Sequence, residues 1–273
     1  MSTSTNNSNI FDDTAKYYAK FRPKIPTKVV DYIKQKYNLN GSGVLLDIGC
    51  GTGISTKAFA PLFAKTIAFD PNREMLDEAI THYDAPNIEW RLCSDRELNL
   101  DNDKIELAIA VRSFHWLDQD SFLRYLSKYL ADDGGIAIIG DGSFWTGNEP
   151  WQVKTKEIIQ EFLGLDRKAG KTMNYTAPPE PYEVILKRNG FTEIDSRTIP
   201  IIRHWTLESI IGYLYSTSFS SYDLYDGQNA EFEERLKEKL LKINNNVTDF
   251  VEHAEFLILS GKLKKSSSTL NPS

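Results

Sequence analysis

Two aspartates and three glycines carry the chemistry easiest to read in this chain. Asp47 lies in the apolar run Val44-Leu45-Leu46-Asp47-Ile48, and Gly49, Gly51 and Gly53 follow it, spaced two apart. Glycines let a turn take backbone angles closed to other residues and let a ligand approach the main chain. Ile54 to Ala60 then has helical spacing and stops before Pro61. A helix starting there aims free N–H groups and its positive dipole end at whatever rests on the turn. Asp70 ends a second apolar run, Thr66 to Phe69. A carboxylate in that place can accept both hydroxyls of a ribose. Arg112, Ser113, Phe114, His115 and Trp116 follow a third, Ile105 to Val111. His115 could line a substrate pocket, serve as a base, or be a packed histidine at a strand end.

A glycine turn with a ribose acid suits a dinucleotide or an adenosine carrying a methionine. A dinucleotide turn needs G-x-G-x-x-G to close helix and strand around a pyrophosphate. Here the spacing is G-x-G-x-G, with Ile54 and Ser55 next. Asp47 would repel a pyrophosphate and can hold an ammonium. The pattern therefore favours S-adenosylmethionine over a nicotinamide cofactor. A nicotinamide-dependent oxidoreductase and a cofactor-binding protein without turnover are the competing functions.

Strands and helices must alternate to position these residues. Strands are predicted over 44–48, 66–69, 88–92, 105–111 and 136–139, with helices over 72–80 and 120–130, the latter ended by Asp132-Asp133-Gly134-Gly135. A helix over 182–188, a strand over 191–199, helices over 206–215 and 230–243 and a strand over 255–262 complete the pattern. The expected fold is α/β, a Rossmann-like doubly wound seven-stranded sheet. It is mostly parallel with an antiparallel last strand, and carries a helical cap or lid. One domain spans 10–262, with lid helices in 10–40 and cap segments at 142–180 and 203–245. Residues 1–9 and 263–273 read as disordered tails.

Composition narrows the partners. The 273 residues carry a net charge of −6, which argues against a nucleic-acid binder. No apolar run reaches membrane-spanning length and the first nine residues have no leader pattern, so a cytoplasmic monomer or homodimer is expected. Cys50 and Cys93, the two cysteines, suggest neither a disulfide framework nor a metal site. Cys50 reads as a small residue fitting the turn.

Leu45 to Gly53 resembles motif I of the class I S-adenosylmethionine-dependent methyltransferases. Asp70, followed by Glu74-Met75-Leu76, is similar to their second acidic motif. Tyr18 to Pro23 and Phe114 to Asp118 resemble one branch more narrowly, the type 11 small-molecule enzymes akin to trans-aconitate methyltransferase. The likeness covers about 11–145 well and thins through 182–262. It implies that Gly49, Cys50 and Gly51 line the cofactor with main chain. It implies that Asp70 binds the ribose and that Pro71 or Asn72 packs on the adenine. Ser94 or Asp95 would meet the adenine amine, Ser94 standing where the family has an acid. Arg112 would begin a segment whose carbonyls face the ammonium. Tyr18 and Arg22 would close over the cofactor, with Arg22 on the methionine carboxylate.

Two acceptor classes lose support. Amino-methylating enzymes of nucleic acids carry Asn/Asp-Pro-Pro-aromatic after strand four, where this chain has Arg112-Ser113-Phe114-His115; Asn148 to Trp151 reads as a turn. Metal-assisted catechol methylation needs carboxylates converging at the ends of strands four and five; Asp141 supplies one, but position 112 is Arg, so no metal is expected. A small-molecule acceptor is expected between His115, Trp116, Trp145, Arg203 and Tyr213. The tyrosine-rich cap suits an amphipathic molecule, and Arg112 and Arg203 could read an acidic one.

Overall fold

The computed structural model describes residues 14–83, 85–176 and 178–263. Both predicted tails lie outside these residues, except Leu263, which ends the last strand.

Helices α1 (Ala15–Phe21) and α2 (Thr27–Lys36) lead into β1 (Val44–Ile48). Then come α3 (Ile54–Phe59), β2 (Lys65–Asp70), α4 (Arg73–His82), β3 (Ile88–Leu92), β4 (Ile105–Val111), α5 (Gln119–Leu126) and β5 (Leu130–Asp141). The second half holds α6 (Pro150–Leu163), α7 (Tyr182–Arg188), β6 (Phe191–Trp205), α8 (Leu207–Tyr215), α9 (Asn229–Ile243) and β7 (Phe250–Leu263). The seven strands lie in the order β3-β2-β1-β4-β5-β7-β6. β1 to β5 pair parallel, and β7 runs antiparallel to both neighbours.

Alternation along β1 explains its central place. Leu45 points into one core layer with Val29, Ile33 and Phe59, and Leu46 and Ile48 into the opposite one with Phe122, Leu126 and Leu186. A strand buried on both faces needs helices on both. The order reverses between β1 and β4, so the ends of those strands open a crevice there.

A third core layer forms the cap, from α6, α8, α9 and the aromatic turn before α9. Its rings meet mostly edge-on, as Phe144 does with Trp151 at 4.8 Å and Trp205 at 5.0 Å. α1 packs on α8 at Gly212, where a Cβ would fall 2.2 Å from the Phe21 ring.

Three expectations are corrected. Asn148–Trp151 is no turn but the start of α6: Pro150 occupies the first turn, and Glu149 and Gln152 form a capping box. Asp132 to Gly135 lies within β5, and α5 stops at Leu126 instead of 130. β6 runs on from 199 to Trp205 because β7, starting at Phe250, pairs with it throughout.

Candidate cofactor and acceptor site

The turn after β1 is left-handed at all three glycines, with φ of +62° at Gly49, +54° at Gly51 and +78° at Gly53. Their surroundings differ. A Cβ on Gly49 would lie 2.7 Å from that of Ser113, and one on Gly53 2.8 Å from the Tyr83 ring. A Cβ on Gly51 would meet nothing within 4 Å. Gly49 and Gly53 are small so that protein can pack on protein. Gly51 faces open space, where a ligand can rest on main chain.

Asp70 is fixed beside that space. Its Oδ2 accepts the Gly51 N–H at 2.9 Å and its Oδ1 the Asn72 N–H at 2.8 Å. A carboxylate has roughly four acceptor positions, so lone pairs remain for ribose hydroxyls. Burial pushes its pKa up to about 6, against the pull of the two main-chain bonds. Pro71 is exposed next to it, while Asn72 is buried and caps α4 through the Met75 N–H.

Asp47 needs correction. Its side chain was expected to face an ammonium, yet the residue is 0% exposed. Oδ2 accepts the hydroxyls of Ser55, at 2.8 Å, and Thr56, at 2.6 Å, from the first turn of α3. Asp47 thus holds helix to strand beneath the turn. Burial raises its pKa to about 6, partly offset by those two bonds. Its Oδ1 has no hydrogen-bond partner. The Cys50 thiol is also buried, packed with Ala68 and Leu76, so only its backbone can serve a ligand. Burial and the charges of Asp70 and Asp47 push its pKa well up.

Arg112 and Arg203 need correction as well. Arg112 Nε and Nη2 form a two-pronged contact with Asp141, the latter at 2.9 Å. Arg203 bonds the same Asp141 and approaches Glu252 at 3.3 Å. Burial would raise the pKa of Asp141, but the two arginines hold it down to about 2. Both arginines are therefore neutralised within the fold and unavailable to an acidic substrate. Arg112 has φ +59°, an uncommon angle for a residue of this size, and its N–H donates to the Ile139 carbonyl at 2.9 Å. That kink starts the loop carrying Ser113 and His115. Arg203 also lines a cleft of about 410 Å³ with Phe21, Pro23 and Trp205, which includes no residue of the glycine turn.

Arg22 has the opposite character. Its guanidinium donates to Ser216, to Oγ at 2.9 Å and to the carbonyl at 3.0 Å. It lies 4.6 Å from the Tyr18 ring and 5.0 Å from that of Tyr213. Among the described residues no carboxylate pairs with it. Ser94 donates its hydroxyl to Glu97 at 2.7 Å, leaving Asp95, partly exposed, as the open acid of that loop.

His115 is solvent-exposed yet surrounded by protein, as on a cleft floor, with the Trp116 ring at 4.6 Å. Desolvation and the charge of Arg167 push its pKa down to about 4, so it is neutral at pH 7. Tyr213 is buried in the cap between Phe144, at 4.3 Å, and Trp205, at 5.3 Å. It belongs to the cap core more than to an open wall. Trp145 is partly buried, edge-on to Phe219 at 5.7 Å.

Three contributors escaped the sequence reading. Ser113 Oγ donates to the Ile48 carbonyl, tying β4 to β1. Ser216 anchors Arg22, and Arg167 acts on His115. Their partners lie far off in the chain, so spacing carried no signal for them. Among the described residues no group of three or more His, Cys, Asp or Glu could hold a metal, and no helix is long and apolar enough to cross a membrane.

The residues present fit S-adenosylmethionine: open space over Gly51, a carboxylate with lone pairs to spare at Asp70, and, among the described residues, a cation without an acid at Arg22. Residues 45–134 match the family profile described as a methyltransferase domain. The chain is 26% identical over 245 residues to a Dictyostelium discoideum protein provisionally named a methyltransferase, with 88% of each chain covered. It is 22% identical to an uncharacterized methyltransferase of Schizosaccharomyces pombe, over 85% of this chain and 89% of the other. Its fold is similar to the solved structure of a provisionally assigned type II methyltransferase from Anaeromyxobacter dehalogenans. That match has a TM-score of 0.59 at 19% identity, over 89% of this chain and 97% of that one. With the glycine turn and its acid in place, residues 45–134 match a methyltransferase domain, and the chain is an S-adenosylmethionine-dependent methyltransferase.

Proposed function

We propose that the enzyme methylates a small-molecule acceptor held between the glycine turn and the aromatic cap. The observation that carries this is His115, exposed after β4 and within reach of the charge of Arg167, whose guanidinium lies against Phe219 of the aromatic cap. Such walls suit a compact, partly apolar ligand. The net charge of −6 disfavours a nucleic-acid acceptor. A cytoplasmic enzyme, monomeric or homodimeric, is part of the same reading.

The cofactor, when bound, supplies an electrophilic methyl group on a sulfonium. The chain's own residues bind, orient and exclude water. In this reading Gly51 offers main chain, Asp70 accepts the ribose hydroxyls, and Arg22 takes the methionine carboxylate through its fork. Asp95, with Pro71 and Asn72, lies on the adenine side. His115 is neutral at pH 7 and, with its pKa near 4, a weak base; in this reading it orients the acceptor, or takes up a hydroxyl proton as the methyl transfers.

Two measurements test this. Calorimetry should show S-adenosylhomocysteine binding and no NAD binding. A methyl-transfer screen against a metabolite extract should yield a methylated product of low molecular mass. His115→Ala and His115→Gln should then lower kcat roughly 100-fold with cofactor affinity unchanged. Unchanged turnover in both variants would remove His115 from the chemistry.

A further inference from the structure

Arg167 is a partly buried cation that the fold leaves without an acid. Among the described residues no carboxylate pairs with it, and its Nε is buried with no hydrogen-bond partner. Aromatic faces hold it instead, with the Tyr175 ring at 4.1 Å and the Phe219 ring at 5.2 Å. The loop around it is pinned. Tyr175 N–H donates to the Arg167 carbonyl at 2.7 Å, and Gly170 N–H to the Ser218 carbonyl at 2.8 Å. Its charge acts on His115 and on Tyr213 of the cap core, so it lies near both.

Taking a guanidinium out of water without a partner is unfavourable, and stacking offsets only part of that. Arg112 and Arg203 show how this fold satisfies an arginine it uses internally: each has a carboxylate. Arg167 keeps its donors for something else. A guanidinium fork with free N–H groups matches the paired oxygens of a carboxylate or phosphate.

We propose that Arg167 is a specificity-determining residue that binds an anionic oxygen group of the methyl acceptor, a carboxylate or phosphate, so that its reacting atom lies toward His115. The assignment rests on the methyltransferase reading above.

The test is calorimetric titration of the full chain, loaded with S-adenosylhomocysteine, with benzoate, citrate, phenyl phosphate and neutral benzamide. At least one anion should bind saturably and more tightly than benzamide. It should weaken roughly 10- to 100-fold in Arg167→Gln, the scale of a lost charge-assisted hydrogen bond. Arg167→Met, which keeps an apolar stem against Tyr175 and Phe219, should show the same loss and covers the case of an unfolded Gln variant. Benzamide and S-adenosylhomocysteine affinities should stay unchanged in both. The acid and phosphate arms show which oxygen group is preferred. Equal anion affinity in the wild type and a folded variant overturns the assignment, as does a wild type that binds no anion better than benzamide. Failure of the wild type to bind S-adenosylhomocysteine overturns instead the methyltransferase reading.

Discussion

The fold treats four of its arginines in two ways. Arg112 and Arg203 share Asp141 and sit with Glu252 at the ends of β4, β6 and β7, where charge meets charge inside the protein. Arg22 and Arg167 lie under the cap against aromatic rings, with no acid among the described residues. The first pair are girders. The second pair carry charge that no acid among the described residues answers. An arginine near a strand end says nothing about which kind it is until its partners are known.

The largest expected effect breaks the girder side. Asp141→Ala leaves two largely buried guanidinium groups short of their shared acid and should cost about 3–5 kcal/mol of stability in urea unfolding. A loss under about 1 kcal/mol would mean that the cluster is not structural. The Asp141 pKa is held below its ordinary value. Its stabilisation is therefore full above about pH 4 and lost as pH falls through about 2.

Arg22→Ala should do the reverse. No acid is left unpaired, so stability should fall by only about 1 kcal/mol. S-adenosylhomocysteine affinity should drop roughly 10- to 100-fold by calorimetry. A variant that keeps cofactor affinity would move Arg22 to the girder class.

The smallest effect concerns Asp70, whose pKa is raised where that of Asp141 is lowered. Asp70 titrates near pH 6 because burial raises it. Protonation removes an acceptor for the ribose, so S-adenosylhomocysteine affinity should fall below pH 6, by about tenfold at pH 5. The raised folded-state pKa means that Asp70 does not itself destabilise the unliganded protein as pH falls over that range. A thermal melt at pH 5 and 7 separates loss of binding from loss of fold. Asp70→Asn should flatten the affinity profile.

The parallel half of the sheet was legible because β1 and β4 are apolar runs closed by turn residues, and β3 and β4 have the predicted ends. The cap was less so. The capping pair Glu149 and Gln152 and the spacing of Trp151, Thr155, Ile158 and Ile159 mark α6, but Pro150 reads equally as a turn. The long β6 and β7 stabilise one another's ends, a tertiary effect with no local signal. In the site, Gly51 and Asp70 stand together as their spacing implied, joined by the 2.9 Å bond from Gly51 N–H. Asp47 did not follow the expectation, because Ser55 and Thr56 draw its carboxylate under the helix.

The amino-acid sequence by itself determined the turn. Glycines two apart after a buried strand, with an acid at the next strand's end, are local features whose geometry follows from backbone sterics and periodicity. Only the tertiary structure decided which charges are free. Whether an arginine meets a carboxylate or an aromatic face depends on side chains dozens of residues away, as with Arg112 and Asp141, 29 residues apart, or Arg22 and Ser216, 194 apart. The turn therefore points to the cofactor, and long-range pairing leaves Arg22 and Arg167 without an acid among the described residues.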